Sequence, residues 1–540
     1  MKAPSASAIL SVVALSSCVF AAVTIPIAKS PEAKPKVKRG RNLLPRAAIT
    51  ESLLNNATGG DYIAQVTVGT PGQPQTLLLD TGSSDVWMLA STADLCTEPA
   101  LQSYYQTGGC SSTFNPSKSS TYKLVDKNAF DIKYEDQSGA TGDYITDTFS
   151  IGGVTIKNVE MGLGYNSSSS VGVMGIGYDI NEASNSGSSN IDPNAPAAFV
   201  YPSIIDTMVS QGFIASKAYS LYLDDLEAST GSIIFGGLDS DKYHGSLLQI
   251  PVVPDTLENG TQVYAEFGVA LTGFSITSQT GSTTTLTTSS YAEPAILDSG
   301  TTATYLSDRL VELIIEKING VDDSQNSGNI YVDCSLLNNA SMTFDFSFGG
   351  ANGLTIKVPI SELVFDITSS AFATGTGTFT SPNLPFSSTC AFGILPAGQN
   401  PSILGDTFLR SAYVVYDLSN NLIALAQTNF NSTTSNIIDF KAGATSIPNV
   451  SGVASSASVT QTATGLFGIG GIGKTATATA NGGQTTSTGA GTGTGTSVAA
   501  SSTKSKSAAA ISVPALDTRG LLVLGIAGAF AGLGGGWFLA

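Results

Sequence analysis

Leu78-Leu79-Asp80-Thr81-Gly82-Ser83-Ser84 and Ile296-Leu297-Asp298-Ser299-Gly300-Thr301-Thr302 repeat one pattern: apolar residues run into Asp, then a hydroxyl residue, then Gly, then two more hydroxyls. Each reads as a buried strand that turns sharply at its glycine and leaves a carboxylate at the strand tip, where an equivalent strand can meet it. Two carboxylates that close cannot both ionise. They share a proton, so that one acts as base and the other as acid toward a single water. An Asp-Ser/Thr-Gly tripeptide is also ordinary turn chemistry, and roughly 0.3 copies would arise by chance in a chain this long. One copy would mean little, whereas two in the same apolar context point to a duplicated site.

The surroundings of both motifs carry a family resemblance. Tyr62-Ile63-Ala64-Gln65-Val66-Thr67-Val68-Gly69-Thr70-Pro71 leads into Asp80-Thr81-Gly82-Ser83-Ser84-Asp85-Val86-Trp87, and a later run, Ile403-Leu404-Gly405-Asp406-Thr407-Phe408-Leu409-Arg410, continues through Tyr416-Asp417 to Ala424-Leu425-Ala426. These stretches resemble the pepsin-like aspartic proteases over roughly residues 60 to 430. Within that family the chain is most similar to the fungal surface group of yapsins and candidapepsins. The resemblance implies an all-β, bilobal acid-protease fold with a few short helices and two similar lobes around a central cleft. The local pattern agrees, with short strands such as Tyr62-Val68, Thr76-Asp80, Phe130-Tyr134, Tyr144-Ile151, Ser232-Phe235 and Tyr413-Asp417 between turn residues. Long amphipathic helices are scarce, and Pro202-Gly212 and Ser307-Ile318 are the clearest candidates.

Asp80 and Asp298 are the expected catalytic pair. Around them Gly82 and Gly300 make the turns, and Ser83 and Thr301 stand where a hydroxyl can bond the outer carboxylate oxygens. The resemblance implies that Thr81 and Ser299 reach between the lobes. Each of these hydroxyls could equally bond local backbone. Val173-Met174-Gly175 and Ile403-Leu404-Gly405 would cross beneath the two Asp loops and brace them. Phe130 to Tyr134, with Gln137-Ser138-Gly139 and the strand after it, resembles the family's flap, which implies Tyr134 in the cleft wall with its hydroxyl toward the Trp87 indole. Glu135 and Gln137 depart from the family pattern, which often has glycines there.

The two ends of the chain bear on its export. Lys2 and an apolar stretch from Ala8 to Val23 read as a signal peptide (residues 1–22), and the Pro- and Lys-rich stretch that reaches Lys38-Arg39 reads as a propeptide (residues 23–46). The lobes are expected over residues 47–218 and 219–440. A Ser/Thr/Gly-rich segment (residues 441–510), unable to form a core, reads as a glycosylated stalk or a plain flexible linker. The apolar end (residues 511–540), with small residues Ser507 and Ala508 upstream as attachment candidates, has the arrangement of a GPI signal. A transmembrane helix is the competing reading, though positive residues would usually follow it. N-glycosylation sequons occur at Asn56, Asn166, Asn259, Asn339, Asn431 and Asn449.

Five cysteines are present, and Cys18 leaves with the signal peptide. Cys96, Cys110, Cys334 and Cys390 then form an even set in an exported chain, which argues for two disulfides with three pairings open. Proximity and the two-lobe reading favour Cys96–Cys110 and Cys334–Cys390, as the resemblance also implies. No Cys-x-x-Cys spacing supports zinc, and His244 is the sole histidine. That excludes a His-Glu-x-x-His metalloprotease, leaves a Ser-His-Asp hydrolase only this poorly placed residue, and leads us to expect no metal and no cofactor. The net charge of −17 becomes about −24 once residues 1–46, with eight basic and one acidic residue, are removed. Such a surface repels nucleic acid and anionic lipid.

Together these readings describe a secreted, surface-anchored, monomeric aspartic endopeptidase that acts on protein or peptide substrates at acidic pH. A non-catalytic pepsin-fold wall or adhesion protein is the alternative. Acidic residues such as Asp94 and Glu98, at the expected first disulfide loop, suggest a preference for basic peptides.

Overall fold

The computed structural model describes residues 47–462, apart from 57–60, 106, 186–198, 257–261, 351–352, 367–383, 455–458 and 460. The expected signal peptide, propeptide and GPI signal, Asn259, Ser507, Ala508 and most of the expected stalk lie outside these residues. The described residues are mostly strands with a few short helices.

The first Asp motif ends the strand Gln73–Asp80, whose side chains point alternately to its two faces and place Leu77 and Leu79 in the core. That strand runs parallel to Gly172–Gly175, which pairs antiparallel with Val86–Leu89. The second motif repeats the arrangement. The strand Glu293–Leu297 runs parallel to Ser402–Leu404, which meets Thr304–Leu306 in antiparallel fashion at Tyr305 and Ile403. In each half the chain therefore leaves the Asp turn, returns alongside, and is bridged by a later strand. This shared wiring is the structural counterpart of the repeated sequence.

The first unit belongs to a 14-stranded sheet and the second to an 8-stranded sheet. The expected lobe division at 218–219 falls at the start of the strand Ala218–Tyr222, which lies inside the larger sheet between Ala412–Asp417 and Thr230–Phe235. The halves are thus joined through a common sheet rather than a linker. The N-terminal strand Ile49–Asn56 adds to the tie, since it pairs with Thr230–Phe235 on one side and Asp61–Val68 on the other.

Two helices lie near their expected positions. Ile204–Ser210 is capped by the Ser203 hydroxyl, which accepts from the Asp206 amide at 3.2 Å. Asp308–Ile318 buries Leu310, Val311, Ile314 and Ile318 on one face and ends at Asn319 in the left-handed conformation. Both disulfides close within one half: Cys96 with Cys110 and Cys334 with Cys390.

Strand pairing runs up to and past residue 441, the expected start of the stalk. Ile437–Asp439 pairs with Gly237–Asp239, and Val450–Val453 pairs in parallel with Tyr243–Pro251 at the edge of the large sheet. Ile447 and Ala454 are buried. Their apolar side chains are spaced too widely among Ser, Gly and Pro to make a periodic signal, yet each finds a place in a core formed by earlier strands.

Arg410, after the short helix Asp406–Leu409, is fully buried. Its Nε donates to Glu362 Oε2 at 2.5 Å and its Nη2 to the Glu362 carbonyl at 2.7 Å, while a Glu362 oxygen also accepts from the Leu226 amide at 3.1 Å. Removing one partner of such a pair strands the other charge in the interior. Glu362→Ala is therefore expected to lower unfolding free energy by about 3–5 kcal/mol, measured by denaturant titration.

Candidate active site

Asp80 and Asp298 meet at the centre of the molecule. The Asp80 carboxylate accepts from the Gly82 amide at 2.7 Å through Oδ1 and from the Ser83 hydroxyl through Oδ2. Asp298 has the same partners one half away, the Gly300 amide at 2.8 Å and the Thr301 hydroxyl at 2.6 Å. A carboxylate with two donors has a fixed rotamer and a satisfied outer edge, which leaves the inner edge to face its twin.

Each acid lies against the other half's glycine. A Cβ added at Gly300 would fall 2.4 Å from Asp80 Oδ1 and 3.2 Å from Asp298 Oδ1, and one at Gly82 would fall 2.6 Å from the Asp298 carboxyl carbon. Only glycine permits this approach. Burial, and then the neighbouring Asp298 charge, hold the Asp80 carboxyl well above the usual carboxylate range, with the Ser83 bond opposing.

The loops are locked together by crossed hydrogen bonds. The Thr81 hydroxyl donates to the Leu297 carbonyl at 3.0 Å and accepts from the Ser299 amide at 2.9 Å. In return, the Ser299 hydroxyl donates to the Leu79 carbonyl at 2.9 Å and accepts from the Thr81 amide at 3.2 Å. All four groups are buried, so each bond is made without competition from water.

Below the loops, the Ile176 amide donates to the Asp80 carbonyl at 2.9 Å and the Asp298 amide to the Leu404 carbonyl at 3.2 Å. Tyr416 stacks on Tyr219 at 4.9 Å and meets Phe267 edge-on at 4.7 Å, and Phe267 packs on Tyr178 at 5.1 Å. These four rings join strands from both halves.

The strands Lys123–Lys133 and Gly139–Ile151 form the hairpin, closed by the Tyr134 amide donating to the Ser138 carbonyl at 2.8 Å. Trp87 Nε1 donates to the Tyr134 hydroxyl at 2.8 Å. Gln137 takes a φ of 68°, a conformation that glycine adopts at lower cost. Asp94 is less available than its place in the sequence suggests, because Oδ1 accepts from the Leu95 amide at 2.6 Å and the Ser167 amide at 3.1 Å. That oxygen serves the turn. Asn166, Asn431 and Asn449 are exposed and Asn339 is half-buried. The amide of Asn431 is engaged with Asp225 at 2.5 Å. Among the described residues, the one grouping of metal-type ligands is Cys334, Asp366 and Cys390, and both cysteines are in a disulfide.

Among the buried acids to which the sequence analysis gave no role are Asp85, Glu182 and Asp406. Both Asp406 oxygens and Glu182 Oε1 lack a hydrogen-bond partner. Glu182 sits in a stretch as polar as a surface turn, while Asp85 and Asp406 lie beside apolar runs whose burial carries them inward.

The comparisons with known proteins agree with this geometry. The family described as eukaryotic aspartyl protease matches residues 61–428. A probable aspartic-type endopeptidase opsB of Aspergillus oryzae is 41% identical over 427 residues, 79% of each chain. Secreted aspartic protease 8 of Candida albicans is 34% identical over 72% of this chain and 81% of its own. Aspartic proteinase 3 of Saccharomyces cerevisiae is 30% identical over 75% of each. In fold, the chain is similar to the aspartic proteinase from Irpex lacteus, with a TM-score of 0.53 over 72% of this chain and all of that one, at 23% identity. The chain belongs to the pepsin-like eukaryotic aspartyl protease family. It is an aspartic-type endopeptidase.

Gly300→Ala is expected to push a methyl into Asp80 Oδ1 and cut kcat/KM about 100-fold or more, while calorimetry shows a folded protein. Stability should depend on pH with a definite sign. Burial raises the carboxyls of Asp85 and Asp406, and pushes Glu182 up to about 10. The folded chain then holds protons that the unfolded chain releases, so stability is full below the ordinary carboxylate pKa of about 4 and drains as pH rises toward the folded values. A lower melting temperature at about pH 7 than at about pH 4 is expected, with the gap narrowed by Glu182→Gln.

Proposed function

We propose that Asp80 and Asp298 hydrolyse peptide bonds by activating one water between them, as a secreted and surface-anchored enzyme working in acid. The observation that carries this reading is the mutual contact of each carboxylate with the other half's glycine, its outer oxygen occupied by a hydroxyl. The pair shares one proton. The ionised carboxylate takes a proton from water as it attacks the carbonyl carbon, and the protonated one hydrogen-bonds the developing oxyanion. A proton then passes to the leaving nitrogen. The Tyr134 hairpin closes over the peptide and limits water to the one that reacts. Ser83, Thr301, Gly82 and Gly300 fix the acids, and Thr81 and Ser299 fix the distance between them.

The export reading is supported by the two disulfides, which need an oxidising compartment, and by the relative named as secreted. Residues 1–22 act as signal peptide and 23–46 as propeptide, and the lobes are 47–218 and 219–440, with the strand Val450–Val453 added at the edge of the large sheet before the stalk continues. The tether to the membrane is the Ser/Thr/Gly-rich stretch before the GPI signal at 511–540, attached near Ser507 or Ala508. Asn56, Asn166, Asn259, Asn339, Asn431 and Asn449 are the glycan acceptors, and the enzyme works as a monomer without metal or cofactor.

Processed protein should cleave a mixed peptide library at about pH 4, where half or more of ordinary carboxyls are protonated, and lose the activity with pepstatin. Asp80→Asn and Asp298→Asn should each reduce kcat by about 1000-fold or more while leaving the fold intact. Cleavage that survives either substitution would overturn the assignment. Absence of cleavage by correctly processed wild-type protein would favour a binding module.

A further inference from the structure

Asp85 lies in the same loop as Asp80, fully buried, and touches three parts of the chain at once. Its Oδ1 accepts from the Tyr201 hydroxyl at 2.7 Å and the Tyr144 hydroxyl at 3.3 Å, and its Oδ2 from the Ala183 amide at 2.7 Å. Tyr144 stands on Gly139–Ile151, the return strand of the flap hairpin. Its ring packs edge-on against Phe130 of the outgoing strand at 5.4 Å, and against Tyr201 at 5.6 Å. Phe130 in turn packs on Trp87 at 6.0 Å, and Trp87 holds the Tyr134 hydroxyl. These residues form a small hydrophobic cluster of their own, apart from the main core.

The neighbouring acid strengthens the arrangement. Glu182 is fully buried and accepts from the Tyr201 amide at 2.9 Å, fixing the main chain that presents the Tyr201 hydroxyl. Among the described residues, the ion pairs involve neither Asp85 nor Glu182. Filling this space would be accomplished at lower cost by an apolar side chain, because a buried acid without a cation is destabilising. What a carboxylate adds is direction: three donors from separate segments converge on one pair of oxygens.

We infer that Asp85 is a positioning residue for the flap, gathering Tyr144, Tyr201 and the Ala183 amide so that the hairpin, and Tyr134 with it, is held at a set height over the two acids. The inference rests on the protease reading for its kinetic consequence, but Trp87 reports on it independently. The chain has two tryptophans, Trp87 and Trp537. In a full-length Trp537→Phe background, with excitation selective for indole, Trp87 is the sole tryptophan emitter, and its environment follows the Tyr134 bond.

Asp85→Leu keeps the branched outline and removes the acceptor, and Tyr201→Phe removes one donor with little change in shape. Both are expected to shift Trp87 emission at about pH 4, and to raise KM for a peptide about fivefold or more while kcat changes by less than about twofold. Asp85→Asn, which retains part of the bonding, should recover most of the wild-type KM and emission. Folded variants with wild-type emission and KM would overturn the inference, as would a loss of thermal stability unaccompanied by either change. Should Asp85→Leu fail to fold, Tyr201→Phe decides the matter by the same two readouts. If wild-type protein cleaves nothing, the protease reading fails, while the emission shift still tests the hold on the hairpin.

Discussion

Two acid side chains repel once both are charged, so their separation must be imposed from outside them. The crossed bonds of Thr81 and Ser299 impose it. Each residue uses hydroxyl and amide against the opposite loop, so neither loop can shift without breaking bonds that have no solvent to replace them. The glycines that follow permit the approach, and the stack of Tyr416 on Tyr219 closes the floor beneath. Remote parts of the chain also serve this constraint. The N-terminal strand is sewn between strands of both halves, and the buried Arg410–Glu362 pair accepts a high desolvation cost to hold the segment that runs out from the second brace.

How much of this was legible in the sequence varies with the range of the interaction. The two Asp turns could be read because strand, carboxylate, hydroxyl and glycine lie within seven consecutive residues. The hairpin before Tyr134 and the helices after Ser203 and Ser307 are similarly local. Burial of a polar group is a property of what packs around it. Asp85 and Glu182 sit in stretches that read as turns, and become interior only because Tyr144 and Tyr201 fold over them from elsewhere in the chain. The chain after residue 441 shows the same dependence on what surrounds it. Ile447 and Val450 are too far apart to make a pattern, but the edge of an existing sheet supplies the regularity that their own sequence lacks.

The buried acids also set the conditions in which the fold is comfortable. An interior that holds Asp85, Glu182 and Asp406 without a dedicated cation for each accepts them most easily as neutral carboxyls. A chain of net charge −17 gains in the same direction, since acid reduces its self-repulsion. Chemistry that needs one shared proton and a scaffold that tolerates many protons therefore favour the same medium.

The strand Val450–Val453 has a mechanical consequence. It is one edge of the large sheet, its Ala454 amide is pinned to the Gln249 carbonyl at 2.8 Å, and the strand Gln73–Asp80 lies deep within that sheet. Tension applied to the chain beyond Thr462 would load the pairing of Gln461–Thr462 with Asp255–Thr256 and then the Tyr243–Pro251 ladder, before the strands that end in Asp80 and Asp298. The edge strand thus works as a strain relief, where drag on the tail is spent against replaceable backbone bonds while the loops at the centre keep their registration.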